Sequence, residues 1–325
     1  MGKSGVLVTG FGGPDSIDAV APFMCNLMGR EPSDELVESV CSRYLAIGGS
    51  SPLPEIAGSI AAKLASALAN RGLDAPVEVG MAYWHPFIGD ALGKLKAQGC
   101  DRVVAVSLSP FESKVASEAY RSAFQEAAEE LGGIDVVEAP LVSELSEFAH
   151  FMAGGIATAL SDIEPNEGAI IAFTAHSLPL SDLTEDDPYV SGLERVANRV
   201  AQELGLDSGH QDAGANMFVS FRAFGADVRP RAWFLVYQSK GQRPGGWLDP
   251  DIDSLIEACV DAGIPALVVC PIGFVTDHME TLYDLDIIAA DKALGADIEF
   301  VRSPVPNDYD TFVDAIAEAV AARIS

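Results

Sequence analysis

The sequence predicts an α/β protein of two similar lobes, each built on a four-stranded parallel sheet with helices on its faces. Three observations predict it. Eight short, nearly continuous runs rich in Val, Ile and Phe recur along the chain, as strands covered on both faces require. The segments between them carry Ala, Leu and charged residues at three- and four-residue spacing, the helical period. At 325 residues, the chain is long enough for two lobes of roughly 150 residues each.

In the first lobe, residues 1–140, the strand runs are Val6–Phe11, Val77–Ala82, Val103–Ser107 and Ile134–Glu138. In the second, residues 141–325, they are Ala169–Thr174, Ala232–Tyr237, Ala266–Pro271 and Ile298–Val301. Helical period marks Glu55–Asn70, Ser113–Leu131, Gly192–Leu204 and Asp251–Ala262 between them. Such alternation connects as right-handed βαβ units. A last helix over residues 310–325 is placed to cross back onto the first lobe. Asp207–Arg231, rich in Gly and Asp without periodicity, reads as a surface loop. Open parallel sheets bind ligands beyond the carboxyl ends of their strands, so chemistry is sought in the loops there.

Composition excludes several classes. Twenty Lys and Arg against 48 Asp and Glu leave a net charge of −28, which disfavours nucleic acid and anionic membrane surfaces as partners. No window reaches the roughly 18 uninterrupted apolar residues of a membrane span, and the first residues show no cleavable leader. The five cysteines, Cys25, Cys41, Cys100, Cys259 and Cys270, include no closely spaced pair. A disulfide framework, structural zinc or locally ligated iron–sulfur cluster therefore lacks support, and a cytoplasmic chain with buried thiols is expected.

Several strand ends carry chemistry. Thr9-Gly10-Phe11-Gly12-Gly13-Pro14 lacks both the third glycine of a dinucleotide fingerprint and a Walker lysine, so it reads as a turn admitting some other flat ligand. The run at Ala169–Thr174 leads into Ala175-His176-Ser177-Leu178-Pro179. A histidine there can accept a proton, bind a divalent metal, or simply hold a loop. Cys270–Asp284 contains Asp277, His278, Glu280 and Asp284 beyond another strand. Asp277 with Glu280 has the spacing of a helix capping box. Yet Glu280 and Asp284, four apart, share a helical face and with a histidine suit Fe²⁺ or Zn²⁺. His278 suits an orienting role beside them.

Together these motifs resemble the ferrochelatase family, which inserts Fe²⁺ into a porphyrin. The matching stretches are GFGGP, RYLAIGGSSPL, YWHPF, AHSLP with DPY at Asp187–Tyr189, YQSKG with WLDP, and PIGFVTDHMETLYDLD, in the family's order over nearly the whole chain. The resemblance implies two Rossmann-like lobes of the chelatase type, with the porphyrin on the side of the first lobe and the catalytic His and Glu on the second. It implies that His176 and Glu280 bind the incoming iron or accept pyrrole protons, the division between them left open. Asp284 matches the next rung of an acidic ladder, while the rung after it falls at Ile288, which cannot ligate a cation. Arg43, Tyr44, Ser51 and Tyr120 match porphyrin contacts of the bacterial coproporphyrin III enzymes. Phe11 stands where one bacterial branch carries an iron-ligating Tyr. Leu27 replaces an arginine that faces a propionate, with Arg30 close by. Cluster-binding cysteines and an apolar lip after Pro52 are absent, so no prosthetic group, no iron–sulfur cluster and no stable membrane association are implied.

The implied substrates are thus Fe²⁺ and a porphyrin, coproporphyrin III ahead of protoporphyrin IX, handled by a cytoplasmic monomer in haem biosynthesis. A cobalt or nickel chelatase and a non-catalytic haem or porphyrin carrier are the competing readings. Against the overall negative charge, Arg30, Arg43 and Arg121 are the local cations available to a tetracarboxylate.

Overall fold

The computed structural model describes residues 2–163, 168–206, 232–241 and 243–324. The stretch Asp207–Arg231 lies outside them. Two compact units emerge. The first comprises Met1–Phe148, Val275–Met279 and Pro306–Ser325; the second comprises Ala149–Phe274 and Glu280–Val305.

The first unit's sheet has strands β1 (Lys3–Gly10), β2 (Val77–Met81), β3 (Cys100–Ser107) and β4 (Asp135–Glu138). They are all parallel, in the order β2-β1-β3-β4. β1 starts earlier than its apolar run because Ser4 and Gly5, which carry no hydrophobic signal, pair with Arg102 and Val103. The helices are α1 (Val20–Met28), α2 (Asp34–Ala46), α3 (Leu53–Asn70), α4 (Ile88–Ala97), α5 (Lys114–Leu131) and the C-terminal Asp310–Ile324. Ser113 begins α5 as a cap, its hydroxyl accepting the Ala116 N–H at 3.2 Å. Leu7, Leu92, Val103 and Phe124 belong to one core between sheet and helices, each nearly or wholly buried.

The boundary expected at residue 140 moves to Phe148. Val142 is buried and the Ser143 hydroxyl donates to the Pro110 carbonyl. Phe148 is itself fully buried, its ring 6.2 Å from Phe312 of the C-terminal helix. An apolar side chain of that size anchors its segment where it finds a core.

The second unit repeats the plan with β5 (Ile170–His176), β6 (Trp233–Gln238), β7 (Ala266–Cys270) and β8 (Glu299–Arg302). Their order is β6-β5-β7-β8, again all parallel. The two four-stranded parallel sheets read from the sequence are therefore present. Its helices include α6 (Ser146–Asp162), which starts before the boundary, and α7 (Pro188–Glu203). Ile252–Ala262, with Asp251 as its cap, follows β6. The segment Glu280–Ala289 is wound as a π-helix, with i→i+5 bonding, and passes into the short α-helix Ala290–Gly295. Ten π-helical residues are uncommon, and such windings concentrate at functional sites. No helix among the described residues is long and apolar enough to cross a membrane.

Candidate functional site

β5 is central in its sheet, so its last residue emerges between neighbours on both sides. His176 closes β5 and stands in register with Gln238 at the end of β6. Three bonds hold this corner. The Tyr189 hydroxyl donates to the His176 carbonyl at 2.8 Å. The Ser177 N–H donates to the Gln238 carbonyl at 2.8 Å, and the Ser177 hydroxyl to the Leu248 carbonyl at 2.9 Å. Asp187 fixes Tyr189 in turn by capping α7, accepting the Tyr189 N–H at 3.0 Å. Burial pushes the Tyr189 phenol well above its ordinary range, so it remains a donor.

From the other side comes the segment after β7. Gly273 donates its N–H to the Thr174 carbonyl at 3.0 Å, laying the turn directly on β5. A Cβ at Gly273 would sit 2.7 Å from the Ala175 Cα. The π-helix then presents Glu280, whose carbonyl accepts a bond from Gln238 Nε2 at 2.8 Å.

His176 Nε2 lies 3.2 Å from Glu280 Oε1, and both side chains are about a third exposed, at 32% and 29%. The other ring nitrogen, Nδ1, is 2.5 Å from the Ser177 carbonyl and so carries a hydrogen. Burial alone would lower the imidazole pKa, but the Glu280 charge and hydrogen bond, with the Asp284 charge behind them, raise it to about 9. The resting pair is therefore an imidazolium against a carboxylate. A divalent cation that took Nε2 as ligand would have to displace that proton.

The raised pKa makes a stability prediction. Stabilisation from a histidine whose folded pKa is raised is complete below its unfolded value, near 6.5, and is lost as pH climbs through about 9. Thermal unfolding of the parent and of His176→Gln should therefore differ most at pH 6 and converge above pH 9. A constant gap across that range would contradict the charged pair.

Asp284 is on the same segment, four residues beyond Glu280. Its Oδ2 accepts the Ser239 hydroxyl at 2.6 Å. Among the described residues, no three His, Cys, Asp or Glu side chains converge to hold a metal. Asp286 is taken up by Arg302, whose Nε and Nη2 reach its two oxygens at 2.5 and 2.9 Å. Helical winding sets in at Met279, two residues after Asp277, and is π-wound from Glu280. Asp277 is gripped by Asn307, whose amide oxygen accepts the Asp277 N–H at 2.8 Å while its amide nitrogen donates to Oδ2 at 2.7 Å. His278, with Asp277, belongs to the first unit.

The remaining candidates all lie in the first unit. Phe11 packs against Tyr83 with ring centroids 4.6 Å apart. Tyr44 is buried in a cluster with Phe23 and Trp84. Tyr120 is buried too, its hydroxyl 2.9 Å from that of Ser109. Ser51 is buried beneath the glycine turn, where a Cβ at Gly13 would come within 2.5 Å of its Oγ. The close approach that the turn permits is thus made to the chain's own Ser51. Arg30 is exposed and Arg43 half-buried. Arg121 is already engaged, 2.8 Å from Glu112 and 3.2 Å from Glu138, so its charge is balanced locally.

Gln238 and Ser239 received no role from the sequence beyond their place in a motif. The available signal was two polar residues directly after a fully apolar strand run, at a strand end where a wholly buried amide requires a specific partner.

Two parallel four-stranded sheets, one carrying a histidine–carboxylate pair at its carboxyl edge, define an α/β protein of the chelatase type. Solved chelatases share the fold. SirB from Bacillus subtilis matches with a TM-score of 0.55 at 12% identity, covering 99% of this chain and 96% of that one. CbiX of denitrifying bacteria matches at 0.54 and 15%, covering 99% and 100%. The chain belongs to the ferrochelatase family of enzymes, whose family model matches residues 3–324. Among its relatives, coproporphyrin III ferrochelatase 2 of Bacillus cereus is 28% identical over 99% of this chain and 95% of its own length. The coproporphyrin III ferrochelatase of Leifsonia xyli is 32% identical, over 98% and 83%. The ferrochelatase of Synechococcus elongatus is also 32% identical, over 98% and 82%.

Proposed function

We propose that this chain inserts Fe²⁺ into coproporphyrin III in haem biosynthesis, with His176 and Glu280 handling metal and protons at the reacting centre. The observation that carries the reading is the 3.2 Å contact of His176 Nε2 with Glu280 Oε1, in a chain of the ferrochelatase family. A free porphyrin must lose two pyrrolic protons as it gains a divalent ion. A carboxylate that binds the ion, in contact with an imidazole that can accept a pyrrole proton once its own Nε2 proton has left, suits both halves of that exchange. Asp284 supplies a further negative charge on the approach to Glu280. In the first unit, Phe11, Tyr44, Ser51 and Tyr120 are the residues assigned to porphyrin contact, and Arg30 and Arg43 the cations assigned to its carboxylates. The enzyme acts as a cytoplasmic monomer without prosthetic group, iron–sulfur cluster or nucleic acid. The relatives from Bacillus cereus and Leifsonia xyli that are named for coproporphyrin III support that porphyrin over protoporphyrin IX.

Anaerobic mixing of the protein with Fe²⁺ and each porphyrin, followed at the Soret and Q bands, tests the proposal. Conversion of coproporphyrin III at a higher kcat/KM than protoporphyrin IX is expected. Spectral shifts without metallation would leave only a carrier, and a preference for protoporphyrin IX would overturn the substrate assignment. Cobalt and nickel at equal free concentration are expected to be inserted more slowly than iron.

The net charge of −28 adds a kinetic expectation. It repels a tetracarboxylate and attracts Fe²⁺, and salt screens both effects. Raising ionic strength should therefore lower KM for coproporphyrin III and raise it for Fe²⁺. Movement of both constants in one direction would refute a long-range electrostatic origin.

A further inference from the structure

Gln238 and Ser239 are consecutive, yet both bond to the Glu280 segment. Gln238, 2% exposed, reaches the Glu280 carbonyl, and Ser239 reaches the Asp284 carboxylate. In an extended strand successive side chains point to opposite faces, so two neighbours cannot ordinarily address one segment. The backbone at Ser239 resolves this by turning left-handed, at φ 58°. Non-glycine residues seldom adopt that conformation, and where they do the strain is held in place by its surroundings and clusters at functional sites. The hydroxyl-to-carboxylate distance of 2.6 Å is that of a charge-assisted bond.

We propose that Ser239 is a positioning residue for the metal substrate, its hydroxyl holding the Asp284 carboxylate in the orientation that passes a divalent cation toward Glu280. The inference rests on the reading of Asp284 as a rung on the metal's approach. The attachments divide the work. Gln238 fixes the main chain where the π-helix begins, and Ser239 fixes a side chain one turn on. Outer partners of metal-handling carboxylates act in this way, restricting rotamers before the ion arrives. A carboxylate that loses this bond loses a restraint on its orientation, which weakens capture without altering the chemistry that follows.

Steady-state kinetics on Ser239→Gly, Ser239→Ala and Asp284→Asn test this. Glycine adopts the left-handed backbone without strain and alanine does not, while both lack the hydroxyl. Both serine variants should raise KM for Fe²⁺ about tenfold, with kcat and the porphyrin KM within about twofold of the parent. Asp284→Asn should raise the same constant, and adding Ser239→Gly to it should change nothing more. A rise in the alanine variant alone would assign the effect to backbone conformation and overturn the proposal. An unchanged or lower KM in Ser239→Gly, with Asp284→Asn impaired, would overturn it while leaving Asp284 in its role. An unimpaired Asp284→Asn would remove Asp284 from the metal route, and the proposal with it.

Discussion

His176→Ala retains the native fold and loses porphyrin metallation by at least about a hundredfold, the usual scale for removing a positioned proton-transfer group. The side chain is only partly buried and faces the Glu280 carboxylate at 3.2 Å. The core of its sheet is supplied by residues such as Leu267, Ile256 and Phe234, and its removal leaves that packing intact. What disappears is the imidazole that faces Glu280 with one nitrogen while the Ser177 carbonyl holds the other. Circular dichroism and porphyrin binding near parent values, together with absent metalloporphyrin bands, are the expected result. Glu280→Gln should impair metallation in the same way and also lower the His176 pKa, because the carboxylate that raised it is gone. A His176→Ala enzyme that inserts iron at the parent rate would dismiss the pair from the reaction.

Gly273→Ala is the second large effect, and it strikes fold and site together. The new methyl would lie 2.7 Å from both the Cα and the Cβ of Ala175. Ala175 is fully buried in the central strand, so it cannot yield. The turn after β7 must lift instead, breaking the Gly273 N–H bond to Thr174. Overpacking and a lost buried hydrogen bond together cost about 2–4 kcal/mol. Activity should fall as well, since this turn leads toward the segment bearing Glu280. Gly58→Ala provides the contrast. It lies within α3, and a Cβ there meets nothing within 4 Å. The exposed helical site should gain about 0.5–1 kcal/mol from alanine. Equal unfolding midpoints for the two variants would refute the steric account of Gly273.

Much of the site was legible because strand ends are legible. An apolar run that stops at Thr174 and meets Ala-His-Ser-Leu-Pro points to a histidine at the sheet's carboxyl edge. The run that stops at Cys270-Pro271 points to Glu280 in the same way. Ladder spacing was harder to read. Glu280 and Asp284 fit an α-helical face by their interval of four, but the segment is π-wound. The two carboxylates also have different partners, His176 for one and Ser239 for the other. Asp277 carries the pattern of a capping box, and it is also bonded twice to Asn307, 30 residues away. Local pattern cannot anticipate a partner that distant.

By itself the sequence determined the two sheets and their parallel sense, because continuous apolar runs separated by helices have few other ways to bury both faces. It also determined which strand ends carry imidazole and carboxylate. Only the tertiary structure decided that His176 is paired as a cation with Glu280 and that Arg121 is balanced by Glu112 and Glu138. It alone decided that Ser239 turns left-handed to hold Asp284. The reason is physical. Burial patterns are written in local periodicity, whereas a charge, a hydrogen bond or a strained backbone angle takes its meaning from atoms that the chain brings close only when it folds.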